Sequence, residues 1–174
     1  MLGIWVVILL IASCFCVFYA FRSTGHVDNS TISTVDVHQY LGKWYEVARF
    51  DHRFERGMTH CTATYSLQKN GKIKVINQGK RNGKWKTSEG KAKMTKTPGL
   101  LRVSFFGPFY SDYRIMMLGD DYEYALVGGG SSNYLWILSR TPQLDQSTID
   151  HIIDEANYRG YETNKLIWVD QRGS

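Results

Sequence analysis

The side chains that most often carry out chemistry are present in this sequence, but they do not form a recognisable catalytic or metal-binding motif. The sequence contains no H-E-x-x-H, C-x-x-C or G-x-S-x-G pattern. The glycines before Ser131 lack the lysine of a phosphate-binding loop and indicate a flexible hairpin. Five histidines are scattered over different segments, which argues against a shared metal site: His26, His38, His52, His60 and His151. The pattern predicts that the protein is not an enzyme and needs no cofactor or metal.

Two other side chains merit attention as reactive groups. Cys61 is the only cysteine beyond the apolar N-terminal segment, so an intradomain disulfide is excluded and a small buried side chain is the simplest interpretation. Glu46 shares the parity of Trp44 on a predicted strand, which places its carboxylate towards the interior. We expect Glu46 to be a paired structural carboxylate rather than a general base.

The N-terminal segment predicts attachment to a membrane. Residues 2–21 are apolar without one charged side chain, and Arg22 and a polar run follow. One interpretation is a lipoprotein signal, since residues 11–14 (IASC) resemble a lipobox and Cys14 would then carry the lipid. The other is an uncleaved single-pass anchor, because the apolar character continues past Cys14. We favour the lipoprotein and divide the chain into a signal segment (1–21), a linker (22–36) and a folded domain (37–172).

The composition indicates one globular, sheet-rich domain. Hydrophobic residues make up 43% and aromatic residues 14%, and the net charge is +5. A basic cluster has two interpretations, a solvated outer face or a docking surface for anionic lipid headgroups. Nucleic acid is disfavoured because exposed aromatics are not interleaved with these charges. The cluster consists of Lys72, Lys74, Lys80, Arg81, Lys84, Lys86, Lys91, Lys93 and Lys96.

Turn signals divide the folded domain into eight short strands. Asn-Gly pairs at 70–71 and 82–83 predict tight hairpins, and further Gly and Pro residues separate the remaining segments. The strands are expected at 43–50, 60–68, 73–80, 85–96, 100–106, 111–118, 122–129 and 134–140. Because such a meander loses its edges by closing, we predict an all-β, eight-stranded antiparallel up-and-down barrel. A helix capped by Asp145 is expected over 146–159, followed by a final strand over 166–169.

Apart from Glu46, alternation along the strands predicts an apolar interior without ionisable carboxylates or imidazoles. Eight strands enclose either packed side chains or one small ligand, so a filled interior is the alternative to a cavity. Residues 51–58 are expected to form the mouth, where Arg53 meets a headgroup and Phe54 touches the chain. The predicted ligand-lining residues are Tyr65, Val75, Met94, Val103, Phe105, Tyr113, Ile115, Met117, Val127, Trp136 and Leu138.

Three short motifs resemble those of the lipocalin family. Gly42-Lys43-Trp44 matches the family's G-x-W signature, Asp121-Tyr122 its second motif and Ser139-Arg140 its third. The segments 40–57, 103–110 and 134–142 are similar to the bacterial outer-membrane lipoprotein group of that family. The resemblance covers essentially everything after residue 36.

That resemblance implies a calyx whose closed end is plugged by Trp44 with Arg140 across the indole, while the open end admits a lipid. It further implies a protein that is lipid-anchored at the cell outer membrane, faces the periplasm and stores or transports fatty acids or lysophospholipids for membrane maintenance. Some family members modify bound lipids with a cysteine, so an enzyme using Cys61 is one alternative. A purely structural, membrane-attached barrel with a filled interior is the other.

Overall fold

The computed structural model describes residues 27–173. The predicted signal segment, the lipidation at Cys14 and the first part of the predicted linker lie outside these residues. Within them a short helical turn, α1 (Val37–Tyr40), precedes the strands, and α2 (Gln146–Tyr158) and a 3-10 turn (Thr163–Lys165) follow the eighth. The strands are β1 (Gly42–Phe50), β2 (Met58–Leu67), β3 (Ile73–Arg81), β4 (Lys84–Met94), β5 (Leu100–Phe106), β6 (Phe109–Leu118), β7 (Tyr124–Gly128), β8 (Leu135–Ser139) and β9 (Leu166–Trp168).

The first eight strands form a closed antiparallel barrel. Each strand pairs with the next along the chain, and β1 pairs with both β2 and β8, which closes the ring. Strand β9 adds to β1 outside the ring, with Ala48 opposite Trp168. Closure gives every barrel strand two neighbours and so removes the unpaired edges of an open sheet. The predicted barrel, helix and final strand are thereby confirmed.

The loops separate into two ends of the barrel. The open end consists of the connections 51–57, 82–83, 107–108 and 129–134, and the closed end consists of residues 37–41, 68–72, 95–99 and 119–123. Asn82 and Gly83 both have positive φ, 51° and 73°, and join the paired residues Arg81 and Lys84. This is the two-residue hairpin that the Asn-Gly pair predicts.

Helix α2 packs on the outside of the barrel. The Asp145 side chain accepts a hydrogen bond from the Thr148 backbone N–H at 2.9 Å, which caps the helix, and Gly160 at a φ of 87° follows its end. Ile152 and Ala156 are fully buried in an outer core that includes Leu126 of β7 and Ile137 of β8. Ile152 and Ala156 are four residues apart and so lie on one face of the helix, which is the face that contacts the sheet.

Residues 27–36, predicted as linker, pack along the barrel wall. The Asp28 backbone N–H donates to the Arg159 carbonyl at 2.9 Å, and the Ile32 N–H donates to the Ile115 carbonyl at 3.0 Å. The Asp36 N–H donates to the Tyr122 hydroxyl at 2.7 Å at the closed end. We call residues 27–36 the strap; it runs from the open end to the closed end.

Candidate functional site

The closed end is sealed by Trp44 and Arg140. The Trp44 side chain is fully buried, and its indole N–H donates to the Tyr40 carbonyl at 2.8 Å. The Arg140 guanidinium carbon lies 3.8 Å from the centre of the indole ring, a cation–π contact. Its Nη1 donates to the Lys43 carbonyl and its Nη2 to the Gln39 carbonyl. The predicted plug is confirmed.

The other motif residues shape the turns around this plug. Gly42 has a φ of 96°, and a Cβ there would lie 3.4 Å from Nη1 of Arg140. Tyr122 has a φ of 57°, and its carbonyl accepts from Nε of Arg140 at 3.2 Å. The backbone N–H of Asp121 donates to the Glu123 carboxylate at 3.0 Å. These residues position the seal at the closed end.

Three tyrosines meet across the interior and form a floor. The Tyr113 hydroxyl is hydrogen-bonded to the Tyr40 hydroxyl at 2.6 Å and accepts from the Tyr65 hydroxyl at 3.0 Å. Burial raises the pKa of all three phenols, so they remain neutral. We call Tyr40, Tyr65 and Tyr113 the tyrosine floor.

The barrel is packed below the tyrosine floor. Side chains there are at most 5% exposed, and a void of about 10 Å³ remains beside the floor. Among the predicted ligand residues, this half contains Val75, Ile115, Val127 and Leu138, and Tyr65 belongs to the floor itself. All five face inward as predicted, but their contacts are with other side chains.

Above the tyrosine floor the interior is accessible. Val103, Phe105 and Trp136 face inward, pack against the inner core and remain partly exposed, as does Tyr113 of the floor. The ring of Phe105 lies over Gly90, where a Cβ would come within 2.7 Å of it. Their partial exposure shows that solvent reaches this half of the barrel, and the inward-facing side chains named here are apolar or aromatic. We call this space the upper cup.

One side of the upper cup carries a buried contact between Glu46 and Arg49. Nη1 of Arg49 lies 2.5 Å from Oε1 of Glu46, and Nη2 donates to the carbonyls of Glu55 and Met58 at 2.7 and 3.2 Å. Burial and the nearby charge of Glu55 raise the pKa of Glu46 to about 8, against the opposing effect of Arg49. Glu46 is therefore paired, as the sequence predicts. Its partner, Arg49, lies on the same strand, β1.

The loop 51–57 folds over the mouth and places one carboxylate inside. Oε2 of Glu55 accepts from the indole N–H of Trp136 at 3.2 Å and lies 2.8 Å from Nε2 of His52. Burial opposes ionisation of Glu55, but the contacts with His52 and Trp136 outweigh it and lower its pKa. The loop is thereby held against the cup wall.

Arg53 and Phe54 lie on the rim, outside the cup. The Phe54 ring is 52% exposed, and the Arg53 guanidinium carbon stands 4.7 Å from its centre. Arg56, the other arginine of the loop 51–57, pairs with Asp51 at 2.8 Å. Of the two arginines, Arg53 is the one on the rim without a carboxylate contact in the described residues.

Two predicted lining residues are corrected by the structure. Met94 is 50% exposed at the closed-end terminus of β4, so it lies beyond the packed interior. Met117 packs against the outer core under α2, because the pairing of β6 with β7 shifts register between Ile115 and Met117. A register shift reverses which alternate residues face inward.

Cys61 has the properties of a structural thiol. It is 3% exposed, and burial together with the Glu46 charge raises its pKa to about 12. A nucleophilic cysteine needs a lowered pKa and access to its substrate. Neither condition is met at this position.

Residues 27–173 contain neither a cluster of metal-ligating side chains nor a membrane-spanning helix. No group of three or more His, Cys, Asp and Glu side chains there is placed to hold a metal ion. No helix in that range is long and apolar enough to cross a bilayer.

Arg49 and Glu55 were missed by the sequence reasoning. Strict alternation from Trp44 and Glu46 puts Arg49 outside, but a register shift between Glu46 and Ala48 turns it inward. Glu55 belongs to a loop, where alternation gives no information. The only available signal was the charged Arg49 within an otherwise apolar strand end.

Comparisons with known proteins agree with the sequence motifs and the geometry. The model of the "Lipocalin-like domain" family matches residues 35–171. The chain is 48% identical to "Outer membrane lipoprotein Blc" of Escherichia coli K12 over 149 residues, covering 83% of this chain and 84% of the relative. It is 47% identical to the protein of that name from Vibrio cholerae over 146 residues, covering 81% and 85%.

A solved structure with a similar fold is insecticyanin from the tobacco hornworm Manduca sexta. The match has a TM-score of 0.70 at 21% identity and covers 83% of this chain and 85% of that one. At this identity the similarity concerns the fold. Together with the family match over most of the sequence, these findings establish that the chain belongs to the lipocalin family.

Proposed function

We propose that this protein stores or transports a single-chain amphiphile, a fatty acid or lysophospholipid, with the alkyl chain in the upper cup. The observation that carries the proposal is the partial exposure of Val103, Phe105 and Trp136, which face inward above the tyrosine floor. The wall formed by Val103, Phe105 and Trp136 is apolar and aromatic, and lipocalins are generally binding proteins rather than enzymes. A site of this kind needs a dry wall and a polar mouth but no catalytic group.

The dimensions of the upper cup support a ligand that is only partly buried. Tyr113 lies four residue steps along β6 from Phe109 at the rim, a rise of about 10 Å once strand tilt is included. Roughly eight methylenes fit this depth and contribute about 6 kcal/mol at ~0.8 kcal/mol each. Association costs of about 4–15 kcal/mol act against this gain. Further contacts at the mouth are therefore needed for tight binding.

The polar end of the ligand is proposed to remain at the mouth. Arg49, the cation inside the cup, is already held by Glu46 and two backbone carbonyls. Arg53 on the rim is the predicted contact for a carboxylate or phosphate. Phe54, stacked with Arg53, then covers the first methylenes of the chain.

Membrane attachment belongs to the same proposal. Relatives that are 47–48% identical bear the name outer membrane lipoprotein, and residues 11–14 resemble a lipobox. We propose that Cys14 carries the lipid, that the folded domain of residues 37–172 faces the periplasm and that the protein serves membrane maintenance. Mass spectrometry of the full chain extracted from membranes tests this by the mass of an acylated N-terminal peptide.

The binding site is tested by displacement of a fluorescent fatty acid with oleate. Trp136→Arg places a charge in the upper cup and is expected to abolish saturable binding. Trp168→Arg makes the same exchange at an exposed position on β9 and should bind like the unaltered protein. Circular dichroism establishes that both variants fold. Unchanged displacement by a folded Trp136→Arg variant refutes the internal site.

A further inference from the structure

The open end of the barrel carries several aromatic side chains that are more than half exposed to solvent. Phe106 and Phe109 flank the connection 107–108 and are 69% and 79% exposed. Phe54 of the neighbouring loop lies with its ring centre 6.5 Å from that of Phe106. Trp85 at the start of β4 is 58% exposed. Exposed aromatic groups of this size on one end of a protein mark an interaction surface.

Basic side chains surround these rings. The Arg53 guanidinium stacks on Phe54, and the Lys80 ammonium lies 5.0 Å from the centre of the Trp85 ring. Arg81, Lys84 and Lys86 lie beside them at the ends of β3 and β4. In the four open-end loops the acidic residues are Asp51, which pairs with Arg56, and the buried Glu55. Aromatic rings within a basic rim match the interface of an anionic bilayer.

The closed end also carries lysines, Lys69, Lys72 and Lys96, but it differs in its acidic residues and in its exposed apolar side chains. Its connection 119–123 contains Asp120, Asp121 and Glu123. The exposed large apolar side chains at this end are the aliphatic Leu67 and Met94. The two ends of the barrel are therefore unequal, and only the open end combines aromatic rings with a basic rim.

The strap supplies an independent constraint. Val27 shares a groove with Phe50, Asp51, Ser132 and Asn133, so the described chain begins beside the open end. The apolar segment ends at residue 21, and six peptide steps to Val27 span at most about 20 Å. A membrane that holds residues 2–21 is thus held close to the open end, whereas a lipid on Cys14 lies thirteen peptide steps from Val27, a span of at most about 45 Å.

We propose that the barrel docks with its open end on the anionic membrane that holds its N-terminus. Phe54, Phe106, Phe109 and Trp85 enter the interface, and the basic rim contacts phospholipid headgroups. The mouth of the upper cup then faces the lipid surface, and a single-chain lipid exchanges between bilayer and cup without crossing bulk water. This inference rests on the proposed membrane attachment but not on the identity of the internal ligand.

The test uses the full chain in vesicles of phosphatidylethanolamine with one quarter phosphatidylglycerol. A photoreactive benzoyl-phenylalanine replaces Phe109 at the open end or, as the matched control, Leu67 at the closed end. After illumination, mass spectrometry detects lipid adducts. We expect adducts at position 109 and none at position 67. Vesicle-bound protein with no adduct at 109, or equal adducts at both positions, overturns the proposed orientation.

A charge-reversal pair tests the basic rim in the same system. The double variant Lys84→Glu with Lys86→Glu should lower the adduct yield at position 109. The expected loss is about fivefold or more for each lysine that contacts lipid headgroups. Lys69→Glu with Lys72→Glu at the closed end is the control and should leave the yield unchanged. Equal losses in both pairs overturn the role of the rim. Protein that fails to sediment with vesicles overturns both the attachment and the docking, whereas fatty-acid displacement reports on the cup separately.

Discussion

The Tyr65 hydroxyl donates to the Tyr113 hydroxyl at 3.0 Å, and this contact between β2 and β6 divides the barrel interior. Tyr40, on the closed-end side, completes the tyrosine floor through its hydrogen bond with the Tyr113 hydroxyl at 2.6 Å. Side chains below the floor are packed, whereas Val103, Phe105 and Trp136 above it remain partly exposed. The position of the tyrosine floor therefore sets the depth to which a ligand chain can enter.

Removing the Tyr113 ring should deepen the cup. We expect Tyr113→Ala to shift the preferred ligand to longer alkyl chains, because the floor then lies lower. The preference is measured by competition with saturated fatty acids of increasing length. Tyr113→Phe keeps the ring and should keep the wild-type preference while losing about 1–2 kcal/mol of unfolding free energy, since two buried hydroxyls lose a partner. An unchanged chain-length preference in the alanine variant would show that the ligand does not reach the floor.

Gly90 provides the space in which the Phe105 ring lies. A Cβ at position 90 would come within 2.7 Å of that ring and 2.8 Å of the Ser104 carbonyl. We expect Gly90→Ala to push Phe105 into the upper cup and to weaken fatty-acid binding about tenfold, which corresponds to 1.4 kcal/mol. Gly130→Ala is the control, since a Cβ there meets nothing closer than 3.8 Å. Equal affinity in the two variants would place the ligand away from Phe105.

The buried carboxyl of Glu46 should make stability depend on pH. Its pKa is about 8 in the folded protein against 4.5 ordinarily, so the folded state holds a proton that the unfolded chain releases. This contribution is complete below about pH 4.5 and is lost as the pH rises through 8, with a slope of at most about 1.4 kcal/mol per pH unit. Urea unfolding across this range should show the decline in the wild type.

Two variants separate Glu46 from the other titrating groups. Glu46→Gln should remove this part of the decline, because an amide does not release a proton. Glu89→Gln changes an exposed glutamate paired with Lys74 and should leave the decline intact. If the slope is the same in all three proteins, Glu46 does not titrate in this range.

The closed-end seal should contribute mainly to stability. Arg140→Ala removes the contact with Trp44 and hydrogen bonds to the carbonyls of Lys43, Gln39 and Tyr122. We expect a loss of about 2–4 kcal/mol of unfolding free energy. Arg140→Lys keeps the charge but not the planar fork and should lose less. Fatty-acid affinity measured well below the unfolding temperature should be unchanged, and a large loss of affinity would contradict a purely structural role.

Much of the fold could be predicted from local signals. The Asn82-Gly83 turn, the Asp145 cap and the parity of Trp44 act over a few residues, and each was found where the sequence placed it. The two β-bulges could not be predicted, because one extra residue in a strand does not change the pattern of residue types. They turned Arg49 inward and Met117 outward.

The candidate site was predictable only in its upper half. Val103, Phe105 and Trp136 follow from alternation on single strands. The tyrosine floor depends on three hydroxyls from α1, β2 and β6 meeting at one point, which the sequence does not encode locally. The burial of Glu55 likewise depends on how the loop 51–57 folds back onto Trp136.

The occupancy of the upper cup is tested most directly by crystals of the protein grown with a fatty acid brominated at its terminal carbon. The account predicts an anomalous bromine peak inside the barrel, in contact with Phe105 or Trp136 and above Tyr65 and Tyr113. A bromine bound only on the outer surface, or no peak in crystals soaked at saturating ligand, would contradict the proposal that this lipocalin carries its lipid within the barrel.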